Sequence, residues 1–484
     1  MMEMRGKKIL VVGLARSGMA VARFATARGA TVSANDMKPA AQLDQETNEL
    51  RQIGLEPLLG SHPETLFTSQ DTVVLSPGVP SDIAALNAAR AAGVEVISEA
   101  EFASRFLKGK MIGITGSNGK TTTTVLIGEL MKAAGAKVLV GGNIGVPLTS
   151  LADQSDDNTW TVAELSSFQL ENVKQLRVNV AVVTNITPDH LDRHPTFEDY
   201  VRAKQNIFLN QAESDLAVLN AGDRVVVAMG AAESENPARL ASSPGRSGSV
   251  YFSSSQRTAI EHPSVFLRDD KIVSTIAQDR REVELISRHD ITLPGMHNVE
   301  NVMAALAATL CALGPNSVDM ERLRETIKAF KGVEHRIEFV ETIKGVKYYN
   351  DSKATNVDST VKSLEAFSGN IILILGGKDK GSDYAQLAHL VSERVKQIVL
   401  IGAASDKIAS QLYGIKPIVR AGSMADAIAQ STRAAVSGDI VLLAPACASF
   451  DMFDNYEHRG RAFKDEVRKL ARSSNRAAGE VFGQ

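Results

Sequence analysis

Along most of the chain, short apolar runs rich in Ile, Val and Leu give way to glycine or polar turns, and these to stretches with helical apolar spacing. That rhythm predicts parallel strands alternating with helices. Near the N-terminus it predicts a strand over Lys7–Val12, a turn over Gly13–Gly18, a helix over Ser17–Arg28 and a strand over Thr31–Asn35. A strand over Asp71–Leu75 and helices over Ile83–Ala92 and Glu99–Leu107 complete this region. Met111–Ile114, Lys137–Val140, Trp160–Glu164 and Val178–Thr184 read as further strands, and Val125–Ala134 and Phe197–Leu209 as helices. Gly230–Ser255, rich in Ser, Ala and Gly, reads as a surface excursion or flexible loop. Short strands follow within Ser264–Leu293, then a helix over Asn298–Leu313. Beyond Arg336 the pattern predicts a hairpin of Ile337–Thr342 and Val346–Asn350 around Lys344-Gly345. Strands Ile371–Leu375, Gln397–Ile401, Pro417–Val419 and Asp439–Leu443 then alternate with helices.

The chain has 484 residues, too many for one core. The expected fold class is α/β in three domains: a Rossmann-like domain over 1–108, a central P-loop-type domain over 109–332 and a C-terminal Rossmann-like α/β domain over 333–484. Apolar content of 44% and charged content of 23% are those of an ordinary globular protein. A net charge of −3 gives no electrostatic reason to expect a nucleic acid or an anionic membrane. Two distant cysteines, Cys311 and Cys447, argue against a disulfide framework and fit a reducing cytoplasm. No apolar run is long enough to span a bilayer, and the first strand begins too early for a signal peptide.

The candidate chemistry sits just past predicted strand ends, where open α/β sheets bind ligands. After Met111–Ile114 come Gly116, Ser117, Asn118, Gly119, Lys120, Thr121 and Thr122, leading into a helix. Glycines that let backbone N–H groups approach, a helix N-terminus, a lysine and a hydroxyl for Mg²⁺ make a polyphosphate cradle. It is a variant, T-G-S-N-G-K-T, because Ile114 stands where the strict pattern has glycine. Glu164 and His190 follow the Trp160–Glu164 and Val178–Thr184 runs and suit metal or substrate contacts, though histidine is an unusual ligand for a hard cation. By periodicity alone Lys204 is a solvated helix charge. Asn298 and Asn301 share a helix face, with capping as the alternative for Asn298.

The first turn reads G-L-A-R-S-G rather than G-x-G-x-x-G, so a nucleotide diphosphate other than NAD is favoured. Asp36 and Lys38 are candidates for gripping its base or ribose, and Ser76-Pro77-Gly78 offers a second contact point. Asp36 as a plain strand-end residue is the alternative. In the last domain, Asp351–Asn356, Gly376–Gly381 and Ala444–Asp451 offer cations and hydroxyls for a small anionic substrate. Cys447, between alanines and without an evident base, reads as packing.

These motifs resemble those of the Mur ligase family over nearly the whole length, to Glu457-His458-Arg459-Gly460. The T-G-S-N-G-K-T loop, Asn185–Asp192, His297–Asn301 and His335-Arg336 carry the general resemblance. E-L-S-S-F-Q-L (Glu164–Leu170), N-D-S-K-A-T-N (Asn350–Asn356) and P-A-C-A-S-F-D (Pro445–Asp451) resemble the members that add D-glutamate. Met37-Lys38 departs from the family's frequent Thr-Arg, and Gly230–Ser255 is longer than usual.

The resemblance implies a monomeric ligase whose small-molecule substrates are ATP, UDP-N-acetylmuramoyl-L-alanine and D-glutamate. An acyl phosphate would be the intermediate, in peptidoglycan precursor synthesis. It implies ATP contacts at Gly116–Thr122, Asn298, Asn301, Arg336, Asp351 and Lys353, with domain closure bringing in Arg336. It implies UDP-sugar contacts at Ser17, Asp36, Lys38, Ser76, Gly78, Asn143 and His190. Thr355, Lys380, Ser449 and Phe450 resemble the D-glutamate pocket, with Lys378 competing with Lys380. Two Mg²⁺ ions would be held by Thr121 or Thr122, Glu164, His190 and Lys204, with Lys204 carbamylated by CO₂. Lys120, Glu164, His190 and Lys204 would be the catalytic set. A folylpolyglutamate-type ligase would share the central module but not the first hundred residues.

Overall fold

The computed structural model describes residues 4–190, 193–235, 248–254, 262–277, 279 and 281–481. The chain divides into two compact units, one of Met1–Asp290 with Glu300–Lys328 and the other of Ile291–Val299 with Ala329–Gln484.

The first unit holds two sheets. In the N-terminal sheet the strands run in the order Leu58–Leu59, Thr31–Asp36, Lys8–Val12, Thr72–Leu75 and Glu95–Ser98. All are parallel. Ile9–Val12 and Thr72–Leu75 are buried throughout, which is why they read as continuous apolar runs rather than alternating ones. The winding reverses between Lys8–Val12 and Thr72–Leu75, so Gly13 and Ser76 face a crevice at the carboxyl edge.

Among the described residues the second sheet has nine strands. Toward one side of it Lys110–Thr115 lies between Thr159–Glu164 and Val180–Val183, with Lys137–Gly142 at that edge beside Thr159–Glu164. These are parallel, so the phosphate loop, Glu164 and the segment after Val183 leave neighbouring strands at one edge. Leu216–Asn220, Gly248–Ser253 and Ser264–Arg268 continue the parallel run, and Lys271–Ser274 and Val283–Ser287 close it antiparallel.

The second unit's sheet is ordered Glu338–Ile343, Val346–Asn350, Ile440–Leu443, Ile371–Gly376, Val395–Ile401 and Ile418–Arg420. Only the first pair is antiparallel. Its turn has φ of 49° at Lys344 and 78° at Gly345, the left-handed pair that a tight hairpin requires.

The strand and helix expectations hold to within a few residues at their ends, with three differences. The helix expected from Val125 already starts at Lys120, so the threonines lie in its first turns. Gly230–Ser255 is not one surface excursion: helix Arg224–Glu235 runs through its start and strand Gly248–Ser253 occupies its end, while 236–247 and 255 lie outside the described residues. The helix expected from Asn298 starts at Met296. Asn298 is therefore inside the first turn rather than its cap, and its side-chain amide donates back to Pro294 O at 2.7 Å.

Candidate active site

The phosphate loop is built by its neighbours. Gly116 has φ +142°, and a Cβ there would meet Thr184 Oγ1 at 2.0 Å. Gly119 has φ +82°, and its Cβ would sit 2.3 Å from Asn301 Oδ1. Ser117 Oγ donates to Thr187 O at 2.9 Å and lies 2.9 Å from the Tyr200 hydroxyl. Ser117 N and Asn118 N both donate to Asn185, at 2.8 and 2.9 Å, and Thr184 Oγ1 donates to Asn118 O at 2.6 Å. Ser117 and Asn118 thus give the loop its shape. Thr121 and Thr122 are buried in the first turn of helix Lys120–Ala133. Lys120 curls over the loop, its Nζ donating to Gly116 O at 2.8 Å and Ser117 O at 2.7 Å. Gly116→Ala should combine a left-handed backbone penalty with a side-chain collision, about 1–3 kcal/mol each. A clear drop in melting temperature together with weakened nucleotide binding is expected; wild-type melting and binding would contradict it.

Lys204 departs most from the pattern-based reading. It is 2% exposed, not solvated. Helix Phe197–Gln205 places it one turn beyond Tyr200, whose ring lies 4.5 Å below its Nζ. Nζ donates to Gly116 O at 2.8 Å. Burial first, then the nearby Lys120 cation, push its pKa well below the usual lysine range, against the pull of Asp189 and Glu164. Glu164 is buried, and its Oε1 accepts from Asn143 Nδ2 at 2.8 Å. His190 has φ 55°, its Nε2 lies 3.7 Å from Asp189 Oδ2, and its ring meets Phe168 edge-on. Lys120, Glu164 and Lys204 therefore share one electrostatic neighbourhood.

A cavity of about 640 Å³ opens where the two sheets of this unit meet. Ser17, Asp36, Lys38, Ser76, Gly78 and Asn143 all line it. Asp36 does double duty, because its carboxylate also accepts from Leu14 N at 2.8 Å and Lys38 N at 2.9 Å. Ser76 Oγ donates to Gly13 O at 2.6 Å, tying the two strand ends at the winding reversal. His62 and Gln42, which carried no sequence signal, also line the cavity, as does Gln169 of the E-L-S-S-F-Q-L motif.

In the second unit, the loops expected to hold a small anion are knitted together. Asp351 N donates to Leu443 O at 2.8 Å, Ala446 N to Ala354 O at 2.9 Å, and Lys378 N to Ala448 O at 2.9 Å. Lys353, Thr355, Lys378, Lys380, Ser449 and Phe450 therefore leave one sheet edge. Ser449 is buried and Phe450 is 68% exposed. Burial lifts Asp351 to about 6, while Ser363 donates to it at 2.5 Å. Arg336 Nε is buried with no hydrogen-bond partner among the described residues, an opening for an anionic ligand. Cys447 is buried and its thiol is pushed up to about 11, which bears out the packing role.

Sequence reasoning placed Arg459 at the end of the family resemblance and gave it no role. It is fully buried, donating to Ser352 Oγ and O and to the Cys447 and Ala448 carbonyls, and it binds two of the strand-end loops together. It shares a helix stripe with Phe463 and Val467, and a charge on an apolar stripe is the signal that could have found it. His194 was also missed. It is buried between Ser167 Oγ at 2.9 Å and Glu171 Oε1 at 3.3 Å, and stacks on Phe168.

Strand order, phosphate loop and strand-end side chains together define a modular α/β protein built around a polyphosphate cradle. Family models match in succession: the Mur ligase MurD-like N-terminal domain over residues 7–98, the Mur ligase middle domain over 114–309, and the Mur ligase glutamate ligase domain over 335–447. UDP-N-acetylmuramoylalanine–D-glutamate ligase of Koribacter versatilis is 48% identical, covering 97% of this chain and 99% of that protein. The protein of the same name from Geotalea daltonii is 45% identical over 97% and 99%. The chain belongs to the Mur ligase family. In fold it is similar to the UDP-N-acetylmuramate-alanine ligase of Thermotoga maritima, with TM-score 0.56, 19% identity and coverage of 96% and 100%. The pseudomurein peptide ligase type C of Methanothermus fervidus is similar at TM-score 0.55 and 20% identity, with the same coverage.

Proposed function

We propose that the protein is an ATP-dependent ligase that joins D-glutamate to UDP-N-acetylmuramoyl-L-alanine in the cytoplasm, acting as a monomer with domains over 1–108, 109–332 and 333–484. The observation that carries this reading is the grouping of Lys120, Glu164 and a charge-averse Lys204 around one phosphate loop, beside a cavity lined by Asn143. The names of the relatives at 45–48% identity support the substrates.

The terminal carboxylate of the UDP-linked substrate attacks the γ-phosphorus of ATP. A carboxyl oxygen–phosphorus bond forms, the bond to ADP breaks, and an acyl phosphate results. The D-glutamate amine then attacks the acyl carbon, loses a proton and expels phosphate. Two anions must meet in the first step, so cationic groups must offset their repulsion. Lys120 does this on the phosphate side. Asn143 orients the carboxylate end, while Ser17, Asp36, Lys38, Ser76 and Gly78 hold the nucleotide end. Asn301 meets ATP beside the loop; in the second unit Asn298, Arg336, Asp351 and Lys353 serve it, with Thr355, Lys380, Ser449 and Phe450 forming the D-glutamate pocket.

The buried Glu164 carboxylate and Thr121 hydroxyl are the oxygen donors a hard cation requires. Together with His190 and Lys204 they would hold two Mg²⁺ ions, which supply charge neutralisation when bound. A depressed Lys204 pKa keeps part of its amine neutral. That amine can add CO₂, releasing a proton, and become an anionic oxygen donor.

ADP formation measured with D-glutamate, L-glutamate or L-alanine tests the reading. An alanine would leave cationic and hydroxyl groups of the pocket unpaired, so discrimination against it by about 10⁴-fold is expected. ATP consumption that ignores the amino acid supplied would overturn the assignment.

A further inference from the structure

Helix Glu99–Ser104 follows the edge strand Glu95–Ser98 of the N-terminal sheet and carries two buried carboxylates at its start, Glu99 and Glu101. Glu101 is saturated: it accepts from the backbone N–H groups of Lys174, Gln175 and Leu176 at 2.8–2.9 Å and from Arg105 at 3.0 Å. Glu99 differs. It is 1% exposed, and all its hydrogen bonding among the described residues goes through Oε1 to one residue of the other sheet's module. Thr149 donates to it from both N and Oγ1, each at 2.7 Å. Its Oε2 is buried with no hydrogen-bond partner among the described residues. A desolvated carboxyl hydrogen-bonded on one side only is costly, and only the two bonds from Thr149 offset that cost here.

Thr149 lies in the first turn of the short helix Leu148–Gln154, which directly follows the loop over residues 142–147. That loop is short and closed on itself, Gly142 N donating to Val146 O at 2.9 Å. Asn143, Gly145 and Pro147 in it line the cavity, and Asn143 is bonded to Glu164 by backbone and side chain, at 2.9 and 2.8 Å. Thr149 is thus the anchor of the loop's far end, and Glu99 is what holds the anchor.

We propose that Glu99 is a positioning residue for the nucleotide-sugar substrate: by fixing Thr149 it sets where Asn143 stands between the cavity and Glu164. This rests on the ligase reading above. Glu99 touches no substrate and acts through the loop.

The test is steady-state kinetics of the full chain with Glu99→Ala, Thr149→Val, the double variant, and Glu99→Gln, which keeps the accepting oxygen. Glu99→Ala should raise KM for UDP-N-acetylmuramoyl-L-alanine about tenfold while KM for ATP and for D-glutamate stays within about twofold. Thr149→Val, which removes the hydroxyl bond and keeps the backbone one, should move the same constant by less, and the double variant should be no worse than Glu99→Ala, which already removes both bonds. Glu99→Gln should restore most of the affinity. Calorimetric titration with UDP-N-acetylmuramoyl-L-alanine gives the same comparison without turnover. If Glu99→Ala misfolds, Thr149→Val and Glu99→Gln carry the test. A fall in active fraction with all KM values and the titrated affinity unchanged would overturn the proposal, leaving Glu99 a packing group. Failure of the ligase reading shows instead in the wild type, which would neither bind nor consume that substrate, and the Glu99 assignment would fall with it.

Discussion

Lys204→Ala is expected to lower turnover by about 10³-fold, the scale of losing an electrostatic contributor at a reacting phosphoryl group. A lysine this deeply buried beside a second lysine is a poor place for a permanent cation. Its hydrogen bond to Gly116 O could be made by a neutral amine equally well. The arrangement makes sense if the working group is the anionic carbamate, which an ordinary lysine with a pKa near 10.4 would form poorly at neutral pH. Two controls separate that role from loop support. Lys204→Arg keeps a donor and a charge but cannot be carbamylated, and should be as inactive as the alanine variant. A short carboxylate added to Lys204→Ala should restore part of the activity by supplying an oxygen anion to the gap. An active Lys204→Arg enzyme, or an alanine variant indifferent to added carboxylate, would remove the carbamate from the mechanism.

Lys120→Ala should cost about 10²–10³-fold in kcat, because the charge that offsets the meeting of carboxylate and phosphoryl group is gone. The side chain now lies on the Gly116 and Ser117 carbonyls, so engaging phosphate exchanges two neutral acceptors for an ionic one. A second consequence is specific to this site. Lys120 is one of the groups that depress Lys204, and removing it lets the Lys204 pKa rise toward its usual value. Less neutral amine then remains at neutral pH, so raised pH or bicarbonate should recover part of the Lys120→Ala loss. The two substitutions should therefore be non-additive. A Lys120→Ala enzyme whose deficit is the same at every pH and bicarbonate concentration would show the lysines to be uncoupled.

Much of this site was legible because of where α/β sheets put chemistry. The phosphate loop, Glu164, His190 and the three loops of the second unit were found as polar residues following apolar runs. The parallel registers place them at shared edges for the reason the pattern implied. Six residues from Ser17 to Asn143 line one cavity; the strand-end pattern offered Asp36, Lys38, Ser76 and Gly78 for one nucleotide, and family resemblance added Ser17 and Asn143. Lys204 was misread by periodicity because lysine is normally solvated, yet its spacing from Tyr200 put it on the buried stripe of its helix. Asn185 was named only as part of the family resemblance, and Thr184 and Tyr200 were given no role, since their work is to satisfy and shape the phosphate loop, and such pairings arise only when distant segments meet. Glu99 and Arg459 were hidden for the same reason: burial of a charge depends on tertiary surroundings that composition does not report.

The most direct measurement uses UDP-N-acetylmuramoyl-L-alanine carrying ¹⁸O in its terminal carboxylate, with the wild-type enzyme, ATP and D-glutamate. Attack of that carboxylate on ATP, followed by amine capture, transfers one labelled oxygen into each phosphate released. Phosphate formed at the rate of amide bond formation but free of ¹⁸O would contradict an acyl phosphate, and with it the role given to the Lys120 and Lys204 neighbourhood.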